Sequence, residues 1–184
     1  MAYSSHVCPW RLSPTLANPI RRWLHSPEKI LGHYIKSGQT VLDLGCGPGV
    51  FSIAMAEMVG ETGKVIAVDI QEEMLQILKR NAEREGLQSR IIIHKSEPDR
   101  IGIKEKVDFA LAFYMIHEVE DIEAFLRETA SALKPKARLL IVEPKLHVSG
   151  KNFLKTVQTA QRAGLKTISE PKIFFSRSML FELL

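Results

Sequence analysis

An acid followed by three alternating glycines carries the clearest chemical signal in this chain of 184 residues. Residues 40–51 read T-V-L-D-L-G-C-G-P-G-V-F, with Asp43 two positions before Gly45 and further glycines at Gly47 and Gly49. Glycine has no Cβ and adopts positive φ without strain, so a backbone of this kind approaches a ligand closely. We therefore interpret residues 40–51 as a ligand-binding loop between a buried strand and a helix.

The acid and the end of the loop indicate which ligand fits. A dinucleotide-binding loop reads G-x-G-x-x-G, whereas Val50 stands at the sixth position here. Asp43 would also repel a pyrophosphate, so an NAD-binding domain is disfavoured. A ligand with a cation and no phosphate suits the pattern, and S-adenosylmethionine, with its amino group and sulfonium centre, is such a ligand. The residues expected to hold it in this loop are Asp43, Gly45, Cys46, Gly47 and Gly49.

A second acid follows the loop by about 20 residues, at the end of the next predicted strand. In doubly wound sheets an acid at this place accepts hydrogen bonds from both ribose hydroxyls, and we assign that role to Asp69. The alternative is that Asp69 only caps the helix that begins in the following Q-E-E-M-L run. We expect Ile70 to lie against the adenine and Met74 to help cover it.

The run V-L-D-L-G-C-G-P-G resembles the first motif of the class I S-adenosylmethionine-dependent methyltransferases. That family usually shows Gly-Asp-Ala after the third strand, where the acid binds the adenine amino group and the next N–H reaches a ring nitrogen. This chain has Lys95-Ser96-Glu97-Pro98-Asp99 instead, and the resemblance implies that Glu97 takes the acid position. Pro98 has no N–H to donate, so one adenine contact is missing or comes from Ser96 or water. The alternative for Glu97 is an exposed loop acid.

The fourth predicted strand delivers residues 113–118, F-Y-M-I-H-E, to the carboxyl edge of the sheet, where ligands bind in open α/β sheets. The Asn-Pro-Pro-Tyr tetrad of many amino-group methyltransferases is absent here. The segment instead resembles the small-molecule branch, which includes quinone-biosynthesis C-methyltransferases, and His117 stands where those proteins often show histidine. We expect Phe113 to contact the cofactor, and Tyr114 and His117 to face the acceptor.

Two roles remain open for His117. A histidine with its ordinary pKa near 6.5 can take a proton from a hydroxyl or an acidic carbon during methyl transfer. Alternatively, His117 only shapes the pocket, because methyl transfer from an activated sulfonium gains most of its rate from positioning. Glu118, Glu143 and His147 are further candidates near the same edge, for which ordinary loop polarity is the alternative.

The elements that position these residues alternate between strand and helix, which predicts a parallel sheet with helices on both faces. The resemblance implies a Rossmann-like α/β fold of seven strands, mostly parallel, with an antiparallel last strand. The predicted strands cover about 40–44, 64–70, 90–95, 107–113, 137–143, 165–169 and 172–177. The predicted helices cover about 48–59, 71–85, 121–133 and 150–163. Residues 37–184 form the predicted core.

Residues 1–36 are predicted to be an N-terminal arm and helical cap of the same domain. Prolines rule out a regular helix over residues 1–18, and Ser26-Pro27 is expected to split the following apolar-periodic segment into two helices. Trp10, Trp23 and nearby basic residues suggest a substrate cap or a peripheral membrane contact, with core packing as the alternative. His6 and Cys8 are too few for a metal site, and we expect no metal.

Composition narrows the class of protein. Hydrophobic residues make up 45% and charged residues 25%, as in ordinary globular proteins. Two cysteines, Cys8 and Cys46, form no disulfide framework, so we expect a cytoplasmic protein. The formal charge is +4, but acids alternate with the basic residues almost everywhere, so nucleic acid is not an expected partner.

The sequence therefore predicts an S-adenosylmethionine-dependent methyltransferase that acts on a small-molecule acceptor, with O- or C-methylation favoured. The alternative is a module that binds S-adenosylmethionine for regulation and has no turnover. Fold and cofactor motifs do not specify an acceptor, and the sequence indicates no oligomeric state.

Overall fold

A seven-stranded sheet forms the centre of the computed structural model, which describes residues 25–184. The strands are β1 (Thr40–Leu44), β2 (Lys64–Asp69), β3 (Ile91–Lys95), β4 (Val107–Phe113), β5 (Leu133–Pro144), β6 (Leu165–Ser169) and β7 (Ser176–Leu183). Their order across the sheet is β3-β2-β1-β4-β5-β7-β6. Only β7 runs antiparallel to its neighbours, β5 and β6. The predicted α/β fold with a mostly parallel sheet and an antiparallel last strand is confirmed.

Helices cover both faces of the sheet. They are α1 (Pro27–Leu31), α2 (Val50–Val59), α3 (Glu72–Arg84), α4 (Ile122–Ala132) and α5 (Gly150–Arg162), with short 3-10 turns at Gln88–Arg90 and Ile116–Glu118. Buried side chains of α1, α2 and α3 share one core layer with Phe109 and Leu140. Those of α4 and α5 share the other layer with Ala110 and Ile141. Alternate residues of β4 and β5 therefore supply the two layers.

The central strands are almost wholly apolar because both of their faces are covered. In β1, Val41, Leu42 and Leu44 are at most 1% exposed, which is the continuous apolar pattern of a buried parallel strand. The chain leaves β1 toward β2 on one side, while β4 pairs with the other side of β1. Loops at the carboxyl ends of β1 and β4 therefore diverge at the point where such sheets bind ligands.

Two strands differ from their predicted ranges by more than one residue. The last strand was predicted over 172–177, but it spans Ser176–Leu183, because Phe175 has a φ of 52° that an extended strand does not accommodate. The fifth strand was predicted over 137–143, but it begins at Leu133 and includes Pro135. A register shift in the pairing with β4 and a φ of 63° at Lys136 make room for this proline.

The described part of the N-terminal region begins with a helix at the expected break. The Ser26 hydroxyl accepts a hydrogen bond from the backbone N–H of Lys29, and Pro27 occupies the first position of α1, where proline is favoured. The arm at 1–18, the helix predicted before Ser26, and Trp10 and Trp23 lie outside the described residues. The cap over residues 1–36 therefore stays a prediction.

Candidate functional site

The glycine loop between β1 and α2 takes a backbone path that three glycines make possible. Gly45, Gly47 and Gly49 have φ values of 66°, 53° and 91°, a region that costs other residues about 1–2 kcal/mol. A Cβ at Gly45 would lie 2.8 Å from the Met115 Cβ, and a Cβ at Gly49 would lie 2.2 Å from the Leu78 Cδ1. A Cβ at Gly47 would meet no atom within 4 Å. A Cβ would thus meet Met115 at Gly45 and the flexible end of Leu78 at Gly49, while Gly47 faces open space.

That open space is part of a cavity of about 860 Å³ at the carboxyl edge of the sheet. The cavity brings together most of the residues predicted to form the site. The predicted residues that line it are Gly45, Cys46, Gly47, Asp69, Ile70, Met74, Ser96, Glu97, Phe113 and Tyr114. Asp43, Gly49 and His117 are not among the lining residues.

Asp69 connects β2 to the glycine loop. Its side chain is buried, its Oδ2 accepts the backbone N–H of Gly47 over 2.8 Å, and its Oδ1 accepts the N–H of Gln71 over 2.9 Å. Burial raises the pKa of Asp69 above its ordinary value, while these backbone hydrogen bonds act in the opposite direction. A backbone hydrogen bond from Ile70 acts on the pKa in the same direction as these two. The carboxylate is therefore held in one orientation at the cavity wall.

Asp43 is buried at 2% exposure behind the cavity wall and is held by a helix residue. The Ser52 hydroxyl, on the first turns of α2, donates a hydrogen bond to the Asp43 Oδ2 over 2.5 Å. Burial raises the pKa of Asp43 to about 7. The hydrogen bond from Ser52 lowers this pKa, and the charge of Asp69 raises it further. A direct contact of Asp43 with a ligand stays a prediction.

The loop after β3 forms the wall where the resemblance implied an adenine site. The Ser96 N–H donates to the backbone oxygen of Asp69 over 3.1 Å. Glu97 and Arg100 exchange backbone hydrogen bonds around Pro98, which makes a tight turn. The Glu128 carboxylate on α4 accepts the N–H groups of Ile101 and Gly102 over 2.8 and 2.7 Å. This loop is therefore anchored at both ends beside the cavity.

Tyr114, which directly follows β4, lines the cavity and has a φ of 60°. Its hydroxyl lies 2.6 Å from the Ser176 Oγ and 3.1 Å from the His25 Nε2. The Ser176 hydroxyl donates to the Phe174 oxygen over 2.8 Å, so the Tyr114 hydroxyl must donate to Ser176. The Phe113 ring lies 4.4 Å from that of Tyr114 and 5.5 Å from that of His25. Phe113 and Tyr114 therefore form an aromatic wall in which hydrogen bonds fix the Tyr114 hydroxyl.

His117 lies beside the cavity and is paired with a buried acid. Its Nδ1 is 2.5 Å from the Glu143 Oε2, while the Glu143 Oε1 accepts the N–H of Ile116 over 2.9 Å. Burial lowers the pKa of His117, but the hydrogen bond and charge of Glu143 and the charge of Glu118 raise it above 6.5 overall. Glu118 lines the cavity, and its Oε1 lies 3.9 Å from the His117 Nε2. His147 packs edge-on against His117 with ring centroids 5.8 Å apart.

Three residues that hold the site together were not predicted. Ser52 had a weak signal, because it is a polar residue in an apolar helix run and is fully buried. His25 directly precedes the predicted helix break, and its sequence position gives no sign that it reaches Phe174 and Tyr114. Glu128 looks like any solvated helix acid, since only the fold brings it to the loop at Ile101.

Within residues 25–184, no group of three His, Cys, Asp or Glu side chains is arranged to hold a metal ion. His6 and Cys8 lie outside that range, so the expected absence of a metal stays a prediction. None of the described helices has the length and apolar character needed to cross a membrane.

Comparison with known proteins identifies the family of this arrangement. Residues 35–173 match a family model described as "Methyltransferase domain". A demethylmenaquinone methyltransferase of Bacillus cereus is 29% identical over 123 residues, which are 67% of this chain and 51% of that protein. A ubiquinone/menaquinone biosynthesis C-methyltransferase of Escherichia fergusonii is 32% identical over 59% of this chain and 44% of its own length. The chain thus spans about half the length of these curated relatives.

A solved structure matches the whole chain more closely. The crystal structure of an S-adenosylmethionine-dependent methyltransferase from Aquifex aeolicus superposes with a TM-score of 0.88 and 28% sequence identity. The match covers 97% of this chain and 100% of that one. The resemblance drawn from the glycine loop and the architecture drawn from the strand pattern are both confirmed by these comparisons.

Proposed function

Because the chain belongs to the methyltransferase-domain family, we propose that it transfers a methyl group from S-adenosylmethionine to a small-molecule acceptor. One observation carries the proposal: the Gly47 backbone, which leaves open space where a Cβ would stand, is bonded to the buried Asp69 carboxylate at the cavity wall. This combination offers a close backbone approach and a fixed hydrogen-bond acceptor to one ligand.

The residues present fit a nucleoside ligand with a cationic amino-acid tail. Asp69 offers a buried carboxylate as the acceptor for a pair of vicinal hydroxyls. Ile70 and Met74 supply apolar surface beside it, and Glu97 supplies an acceptor on the loop after β3. In this assignment the glycine loop holds the tail, with Cys46 as part of the wall. S-adenosylmethionine supplies a methyl group already activated by its sulfonium charge.

The acceptor side of the proposed site is the aromatic wall of Phe113 and Tyr114. An aromatic wall and a cavity of about 860 Å³ suit a small apolar or aromatic acceptor beside the cofactor. The curated relatives carry the names of quinone-biosynthesis methyltransferases, which supports O- or C-methylation of such an acceptor. None of the names in these comparisons supports the alternative of a regulatory module without turnover.

This proposal does not require a protein base. If a base acts, the positions of His117 and Glu118 limit the path by which the acceptor proton reaches it. His117 does not line the cavity, whereas Glu118 does. We propose that His117 affects an acceptor proton only through Glu118, whose carboxylate lies 3.9 Å from the His117 Nε2. Glu143 would then be the positioning residue that fixes the imidazole.

The test is release of S-adenosylhomocysteine when the protein is incubated with S-adenosylmethionine and a panel of phenols, quinols and amines. We expect product with at least one phenol or quinol, and a rate lower by roughly tenfold or more from the Asp69→Asn variant at subsaturating cofactor. Tight cofactor binding with no product from any acceptor class would favour the regulatory module. Absence of cofactor binding would overturn the proposal altogether.

A further inference from the structure

Positive charge is concentrated in two segments of the chain, residues 1–36 and residues 144–177. Residues 144–177 contain seven basic side chains and one acid, Glu170. The whole chain has a formal charge of +4, so the remainder carries slightly more acids than bases. The basic residues are Lys145, Lys151, Lys155, Arg162, Lys166, Lys172 and Arg177.

The same segment exposes large apolar side chains at the tips of two loops. Leu146 is 79% exposed, Phe174 is 57% exposed and Phe175 is 55% exposed. Large hydrophobic side chains exposed together on a soluble surface indicate an interaction site. We refer to Leu146, Phe174 and Phe175 as the apolar loop patch.

The two loops form one surface at the carboxyl edge of β5. The Lys145 N–H donates to the Phe175 backbone oxygen over 3.1 Å, and the rings of Phe174 and Phe175 are 5.8 Å apart. The Arg177 Nε donates to the Val148 oxygen over 3.0 Å, which holds the second loop against the first. These bonds keep the patch together as a unit.

Exposed lysines flank the patch. Lys145 precedes Leu146, Lys172 precedes the phenylalanines, and Lys151 lies in the first turn of α5, where Gly150 packs beside Arg177. In the part of the chain from residue 25 onward, no ion pair joins these three lysines to an acid. The patch is thus an apolar tip within a rim of positive charge.

We propose that the apolar loop patch and its lysine rim dock the protein onto an anionic lipid surface. Apolar side chains enter the boundary between headgroups and acyl chains, and nearby lysines are attracted to anionic headgroups. An RNA partner would use the lysines but has no need of an exposed Leu146. A second copy of the chain, paired through the same patch, would bring like charges together.

The position of the patch relates it to the cavity. Ser176 directly follows Phe175, and its Oγ lies 2.6 Å from the hydroxyl of the cavity-lining Tyr114. The Phe174 ring lies 6.4 Å from that of His25, another lining residue. Docking through the patch would therefore place the aromatic side of the cavity next to the lipid. The docking proposal does not depend on the proposed methyl transfer.

Vesicle sedimentation tests the proposal with the full chain. We expect binding to vesicles of mixed phosphatidylcholine and phosphatidylserine that weakens as salt is raised, and much weaker binding to phosphatidylcholine alone. Leu146→Ser/Phe175→Ser should reduce the partition constant roughly tenfold. Lys145→Glu/Lys172→Glu should reduce it by a similar or larger factor, roughly tenfold or more.

Matched controls separate this surface from others. Lys36→Glu/Lys64→Glu makes the same change in net charge at exposed lysines beside the amino ends of β1 and β2. Ile92→Ser removes an apolar side chain that is 41% exposed on the edge strand β3. Both controls should bind vesicles like wild type. Leu146 and Phe175 do not line the cavity, so unchanged cofactor affinity and melting temperature will show that the patch variant is folded.

Three results would overturn the proposal. The first is equal vesicle binding by the patch variant and wild type. The second is loss of binding in Trp10→Ser/Trp23→Ser alone, which would assign membrane contact to the N-terminal segment instead. The third is binding to an RNA oligonucleotide without binding to either vesicle. A failure to bind cofactor would count against the proposed enzyme activity and not against this surface.

Discussion

The backbone N–H of Gly47 donates a hydrogen bond to the Oδ2 of Asp69 over 2.8 Å. This bond joins the loop after β1 to the end of β2, so the close-approach glycine and the acid form one rigid unit. The Gln71 N–H holds the other carboxylate oxygen over 2.9 Å. The site therefore has a fixed acceptor geometry built largely from backbone groups, which lowers the cost of ordering it on binding.

Asp69→Asn should weaken S-adenosylmethionine binding by roughly tenfold or more, since charge-assisted hydrogen bonds contribute about 1.5–3 kcal/mol. Isothermal titration calorimetry measures the change in Kd. Asp108→Asn is the control, because Asp108 accepts the Thr40 N–H and pairs with Lys134 at the other end of the sheet. Unchanged affinity in Asp69→Asn would contradict the ribose assignment.

Gly47→Ala should impair cofactor binding far more than it impairs folding. The φ of 53° costs alanine about 1–2 kcal/mol, and no protein atom lies within 4 Å of the added Cβ. Gly86→Ala makes the same change at a φ of 70°, also with no atom within 4 Å, at the end of α3. Both variants should unfold at similarly reduced urea midpoints, and only Gly47→Ala should raise the Kd. An equal rise of the Kd in both variants would show that backbone strain causes the loss of cofactor affinity.

Asp43→Asn should stabilise the ligand-free protein at pH 8 and have less effect at pH 5. The folded pKa of about 7 lies above the ordinary 3.8, so the folded state binds more protons between these values. The contribution of Asp43 to stability is therefore full below pH 3.8 and is lost as the pH rises toward 7. At pH 8 the substitution should raise the free energy of unfolding by roughly a few kcal/mol at most. Urea unfolding at several pH values measures it, and a pH-independent difference would contradict the raised pKa.

Glu143→Gln should lower the pKa of His117. Glutamine still accepts a hydrogen bond at this place, but it removes the charge that opposes the effect of burial. In wild type, the stabilising contribution of charged His117 is full below pH 6.5 and is lost as the pH rises through the folded pKa. NMR titration of the imidazole signals measures the shift. His94, whose Nε2 contacts the Ile101 oxygen, is the internal control, and an unmoved His117 midpoint would contradict the pairing.

Local pattern was enough to predict the strand and helix order, because buried strands and amphipathic helices differ in the period of their apolar residues. It failed where long-range pairing overrode local preference. The fifth strand was predicted to begin at residue 137, yet β5 begins at Leu133 and runs through Pro135, since the bulge at Lys136 lets pairing with β4 continue. The strand predicted over 172–177 is displaced because Phe175 turns out of the extended region.

The sequence by itself determined the glycine loop, the acid at the end of β2 and the family, because each of these depends on residue types at fixed local spacing. Only the tertiary structure decided which predicted side chains face the cavity. Asp43 is turned to Ser52 and His117 to Glu143, through contacts whose geometry depends on how strands and helices pack. The direction of a side chain near a strand end is set by such packing, and no local pattern encodes it.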